Sequence, residues 1–112
     1  MINKTLKNGI ALLLFCLCTS SYAEVGSVKI ISPLDGAKIK NTLKMDFDIN
    51  PGPKGNHVHM YTDGEEVAVI KKLKGQYTFK NLSAGKRELC IKVVDKGHTP
   101  IGVEKCIHVT VE

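Results

Sequence analysis

An all-β fold, a sandwich of about seven antiparallel strands, is predicted by three observations on this sequence. Apolar and polar residues alternate with a period of two in many segments. No stretch places apolar residues at i, i+3, i+4 and i+7. Gly, Pro, Asn and Asp punctuate the chain at the intervals expected between short strands. Val28 and Ile30 alternate with Lys29, and Ser32-Pro33-Leu34-Asp35-Gly36 breaks that first run. Leu43, Met45, Phe47 and Ile49 alternate with Lys44, Asp46 and Asp48, the pattern of a strand with one buried face. Residues 51–56 hold two prolines and two glycines and cannot sit in a ladder, so they form a loop. Residues 57–62 make the next strand, Asp63-Gly64 carries the two-residue hairpin signal, and 65–70 return. A short strand over 76–80 carries Tyr77 and Phe79. Ser83-Ala84-Gly85 turns the chain into 86–94, and the last strand spans about 103–111.

The first 23 residues read as a secretory signal. Lys4 and Lys7 form a basic start, 10–18 an apolar run of nine, and Ser21-Tyr22-Ala23 a small-residue end, which predicts cleavage after Ala23. The apolar run is short of the ~20 residues of a membrane span. Neither Cys16 nor Cys18 follows the small residue that lipid attachment wants. The product is expected in a periplasm or outside the cell, free of the membrane once the signal is removed. Residues 24–112 then form a single domain.

Removing 23 of the 112 residues leaves 89, enough for one modest core. The 16 basic residues fall to 14 against 11 acidic ones, a net +3 with scattered lysines. Nucleic-acid binding needs a basic stripe with aromatics beside it, and the densest cluster, Lys71-Lys72-Leu73-Lys74, reads as a solvated loop. Two of the four cysteines leave with the signal, and the remaining Cys90 and Cys106 are expected to pair in an oxidising compartment.

A register test on the last two strands supports that pairing. Aligning Leu89 with Ile107 and Val93 with Val103 sets Cys90 opposite Cys106 on the other face. The same register sets Lys92 opposite Glu104 and Glu88 opposite His108. The bridge is therefore expected to staple the hairpin on its outward face, contributing about 3 kcal/mol by loop entropy. There is no Cys-x-x-Cys and no helix N-terminus to activate a thiolate, which argues against a redox pair.

Three segments together resemble small periplasmic proteins of uncharacterised function with an immunoglobulin-like fold. Residues 32–37, Ser-Pro-Leu-Asp-Gly-Ala before a strand, are similar to the opening of many bacterial immunoglobulin-like domains. Residues 55–64 resemble the Gly-His-rich strand of that family, which ends near an Asp. Leu82-Ser83-Ala84-Gly85-Lys86 and Asp95-Lys96-Gly97-His98-Thr99-Pro100 resemble its two later motifs. Asn56 and Val58 stand where the family carries further histidines, and the cysteine pair departs from it. The resemblance implies an all-β, immunoglobulin-like β-sandwich and no particular activity.

His57 and His59 alternate on one strand, so they share a face. With Val58 and Met60 assigned to the core, His57, His59 and Tyr61 are expected to face outward as exposed side chains. In an immunoglobulin-like topology this strand neighbours the one before the last, and the loop holding His98 lies at its end, nearer His57. Such imidazoles suit Cu(II), Zn(II) or Ni(II), copper first, with Asp95 and Asn56 as oxygen neighbours. The same residues also fit an ordinary polar strand, with His98 ordering a turn. Met45 and Met60 are assigned to packing, and His108, ten residues beyond His98, to a neighbour role beside Glu88.

Two function classes follow. One is an exported binding or accessory domain with a metal at His57, His59 and His98. The other is an interaction domain that binds another exported protein, with incidental histidines. An enzyme is not expected, since no Gly-x-Ser-x-Gly, no paired carboxylates in a cleft and no nucleophile beside a base are present. The oligomeric state has no signal in the sequence.

Overall fold

Among the described residues, alternation of apolar and polar residues is realised as eight strands in two sheets. The computed structural model describes residues 25–112, so the expected signal segment and the expected cleavage after Ala23 lie outside the described residues. The strands are β1 (Ser27–Ser32), β2 (Lys38–Ile39), β3 (Leu43–Asn50), β4 (His57–Thr62), β5 (Glu65–Ile70), β6 (Lys74–Phe79), β7 (Gly85–Val94) and β8 (Pro100–Val111). One sheet has the order β1-β3-β6 and the other β2-β8-β7-β4-β5. This is the predicted sandwich with one element added. β2 pairs in parallel with β8 through Lys38–Thr110 and Ile39–Val111. A two-residue strand is too short for alternation to reveal, and it forms because the 33–36 turn delivers the chain against β8. The amide of Gly36 donates to the carbonyl of His108, and that of Thr110 to the carbonyl of Ala37.

The core lies between the sheets. β3 contributes Met45, Phe47 and Ile49, and the larger sheet answers with Val58 and Met60, Leu89, Ile91 and Val93, and Ile107, Val109 and Val111. Met45 and Met60 are wholly buried in this cluster and serve as packing residues. Burying such side chains stabilises by about 1.5–3 kcal/mol each.

The β4–β5 connection is the expected two-residue turn. Asp63 has φ 49° and Gly64 φ 83°, the paired positive values of a type I′ turn. Asp63 also ties this turn to β7. Its Oδ1 accepts the Glu88 amide at 2.9 Å and its Oδ2 accepts Arg87 Nη1 at 2.9 Å, so the carboxyl is held below its ordinary range, by the amide first and the guanidinium second.

The β7–β8 register is observed from Gly85–Val111 to Lys92–Glu104, and it includes Leu89–Ile107, Cys90–Cys106 and Glu88–His108. The bridge Cys90–Cys106 is present. The expected Val93–Val103 pair is not kept. The register shifts after Lys92, and Val94 faces Pro100. Gly102, at φ 89°, lets β8 bulge there, so the strand begins three residues earlier than its alternation implied.

Candidate metal centre

His57 and His59 project from β4 on the face opposite Val58 and Met60, as period two requires. The expectation that they are exposed is corrected: they are only 3% and 4% exposed. Three neighbours account for the burial. β5 lies alongside on one edge, with Val69 opposite His59. β7 lies on the other, with Val94 opposite His57 and Lys92 opposite His59. The β7–β8 loop then folds His98 over both rings, whose centroids lie 4.6 Å (His57) and 5.2 Å (His59) from its own. His98 is thus nearer His57 by ring position, as the topology implied, and it reaches both.

The loop that delivers His98 is organised by Asp95. Asp95 Oδ1 accepts the amides of Gly97 and Thr99, both at 2.9 Å, while its carbonyl accepts the amide of His98. The sequence placed Asp95 beside the metal ligands. Its hydrogen bonds go instead to the loop backbone, and it acts on His57 only through space, favouring that ring's protonated form. His98 has φ 70°, in the left-handed region where glycine is usual at this hairpin position. A non-glycine residue in that region points to a role for its side chain.

Three nitrogens converge. His98 Nδ1 lies 3.0 Å from His59 Nε2 and 3.2 Å from His57 Nε2. The far nitrogens of the buried pair are occupied. His59 Nδ1 lies 3.0 Å from Glu66 Oε1, and His57 Nδ1 lies 2.9 Å from Asn56 Oδ1. An ionised carboxylate only accepts, so His59 carries its hydrogen on Nδ1, and the Asn56 carbonyl oxygen does the same for His57. Both Nε2 atoms therefore present lone pairs to His98 Nδ1, which offers at most one hydrogen between them. A cation can satisfy all three at once. With metal–nitrogen distances of about 2.0–2.1 Å, nitrogens stand about 3.3 Å apart around a tetrahedral ion and about 2.9 Å apart at adjacent corners of a planar one. Both separations from His98 Nδ1 fall between these values, and the three nitrogens all lie within 4.8 Å of one another.

Electrostatics agree with a neutral His57: burial holds it below its ordinary value, and the repulsion a charged ring would meet from His98, His59 and Lys71 acts the same way. Asn56, expected as an oxygen neighbour, is hydrogen-bonded to His57 Nδ1. Glu66 was missed by the sequence reading. Its signal was the Asp63-Gly64 turn, which sets Tyr61 opposite Glu66 and leaves Glu66 diagonal to His59, within reach of a long side chain. Tyr61 is half-buried beneath Lys92, whose Nζ lies 4.6 Å from the ring centroid. His108 stays apart from the triad, 3.4 Å from Glu88 Oε2, as expected.

No family model matches the chain, and no curated protein matches it. Its likeness to solved structures is one of fold. The chain is similar to fibronectin(III)-like modules of CbhA from Clostridium thermocellum, with 18% identity over 76% of this chain and 96% of the module and a TM-score of 0.62. It is similar to the CARDB domain of PF1109 from Pyrococcus furiosus, solved in complex with di-metal ions, at 16% identity over 84% and 95% of the two chains, TM-score 0.55. A Jonesia denitrificans lytic polysaccharide monooxygenase matches at 15% identity over 72% of this chain and 61% of its own, TM-score 0.52. Such identities establish an immunoglobulin- or fibronectin-like sandwich, and that fold alone selects no activity.

Proposed function

We propose that the chain is an exported, non-catalytic binding or accessory domain that holds a transition-metal ion on His57, His59 and His98. The observation that carries this reading is the approach of His98 Nδ1 to within 3.0 and 3.2 Å of two buried Nε2 lone pairs. Glu66 and Asn56 support it from behind, since a hydrogen-bonded far nitrogen is the usual company of a metal-bound imidazole. Cu(II) is the first choice, because imidazole suits it and affinity among divalent ions peaks there, with Zn(II) next. Export and a place in the periplasm or outside the cell are supported by the signal-like first 23 residues and by the Cys90–Cys106 bridge, which suits an oxidising compartment.

The test is metal content and titration of untagged protein. One equivalent of Cu(II) or Zn(II) is expected, abolished in the His57→Ala, His59→Ala double variant. Equal weak binding by both proteins would sink the proposal.

A second reading rests on a different observation. Val67 and Val69 are 45% and 43% exposed on the edge strand β5, a surface to which another exported protein can add. It predicts a partner recovered by cross-linking that chelators do not release.

A further inference from the structure

Two cross-strand pairs lie side by side on the outward face of the β7–β8 hairpin, toward the end remote from His98. Cys90 faces Cys106 and Glu88 faces His108. Because alternate residues share a face, all four side chains emerge together. A Glu88 carboxylate oxygen and both sulfurs lie within 4.8 Å of one another. Glu88 Oε2 is 3.4 Å from His108 Nε2, and the far nitrogen, His108 Nδ1, is 3.9 Å from Asp35 Oδ1.

We propose that reduction of Cys90–Cys106 converts this quartet into a second metal site, with two thiolates, the Glu88 carboxylate and His108 Nε2 as donors. Two sulfurs, an imidazole and a carboxylate form a donor set for Zn(II), and Asp35, whose Oδ1 accepts the His108 amide at 2.7 Å, is held 3.9 Å from the ligand's other ring nitrogen. The bridge is not needed to hold the donors near one another. The ladder runs on both sides of it, from Gly85–Val111 to Lys92–Glu104, and the two Cα atoms are 4.0 Å apart. Thiolates on a tetrahedral zinc stand about 3.8 Å apart, a separation that side-chain rotation can supply. The Glu88 amide is fixed by Asp63, which anchors that donor's backbone. Access is from the β8 side: His108 is exposed and Cys106 and Glu88 are half-buried, while Cys90 is buried, so a reductant meets Cys106 first.

The reductant is a dithiol. One of its thiolates attacks Sγ of Cys106, forming a mixed disulfide and releasing the Cys90 thiolate. Its second thiolate resolves the mixed disulfide and releases the Cys106 thiolate, so the donor leaves as a disulfide after giving up two electrons. Any protons on the two protein thiols pass to solvent when the metal binds. The oxidised protein then has one metal site, the triad, and the reduced protein has two, built from different residues.

Cobalt(II) titration of untagged wild-type protein distinguishes the two states, after phosphine reduction and anaerobic desalting or without reduction. Sulfur-to-cobalt charge-transfer absorption is expected only in the reduced protein, reaching its maximum within two equivalents, because the triad also takes up cobalt but offers nitrogen alone. Zinc should bleach that absorption. Glu88→Gln and His108→Gln should each weaken cobalt binding at least ~10-fold in the reduced state. No charge-transfer band, or a band that neither substitution weakens, overturns the quartet. Loss of the β-sheet circular dichroism on reduction also overturns it, because the ladder is then not the scaffold claimed.

Discussion

His59 and Glu66 meet across the β4–β5 hairpin, Nδ1 to Oε1 at 3.0 Å, and this contact decides which nitrogen of His59 is free to bind. The carboxylate holds the hydrogen on Nδ1 and turns the Nε2 lone pair toward His98. Replacing Glu66 with Gln removes the charge and lets the amide present a donor, so the ring loses its fixed tautomer. Metal affinity should fall ~10–100-fold. Glu66 is about half exposed, so the thermal midpoint of the metal-free protein should change little. Competitive titration beside thermal denaturation checks both halves, and unchanged affinity would remove Glu66 from the site.

His98→Gly separates function from stability. Gly adopts φ 70° without the cost a side chain incurs there, a relief of about 1 kcal/mol or somewhat more, set against the greater freedom of an unfolded glycine. The metal-free variant should be as stable as the parent or more so in urea, while its metal affinity falls sharply. A markedly destabilised variant would mean that the imidazole serves the loop and not an ion.

Stability should depend on pH through His57. Its folded value lies below the ordinary 6.5, chiefly through burial, with the repulsion it would meet from His98, His59 and Lys71 acting the same way and Asp95 opposing. Above 6.5 the ring is neutral in both states and its contribution is complete. As pH falls below 6.5 the unfolded chain takes up the proton first, and stability is lost until pH has passed the folded value. Urea midpoints between pH 7.5 and 5 should therefore decline, and His57→Gln should decline less. Parallel slopes would exclude His57 as the source.

Removing the bridge by Cys90→Ala and Cys106→Ala should lower unfolding free energy by about 3 kcal/mol. The loss should appear as a lower denaturant midpoint. A loss under ~1 kcal/mol would show that closing this loop contributes little to the stability of the domain.

Much of this molecule was legible because its signals are local. The alternation in β3, the Asp63-Gly64 turn and the paired residues of β7 and β8 each carry their geometry in a few adjacent positions. What escaped was set by tertiary neighbours. The burial of His57 and His59 comes from β5, β7 and the 95–99 loop, none of which period two can place over a strand's outer face. Glu66 reaches His59 along a diagonal, and the shift at Gly102 broke the simple extension of the Cys90–Cys106 register to Val93. β2 was too short to show a pattern at all.

The left-handed backbone at His98 has an evolutionary consequence. Two of the three nitrogens belong to a strand whose other face is committed to the core, so they are hard to move without unmaking the domain. The third rides at a hairpin tip, where glycine would serve the chain equally well. Exchange of this residue alone would dismantle or restore the ring of donors while leaving the sandwich untouched. In related chains, the identity of the residue at this tip would be the quickest sign of whether the centre has been retained or abandoned.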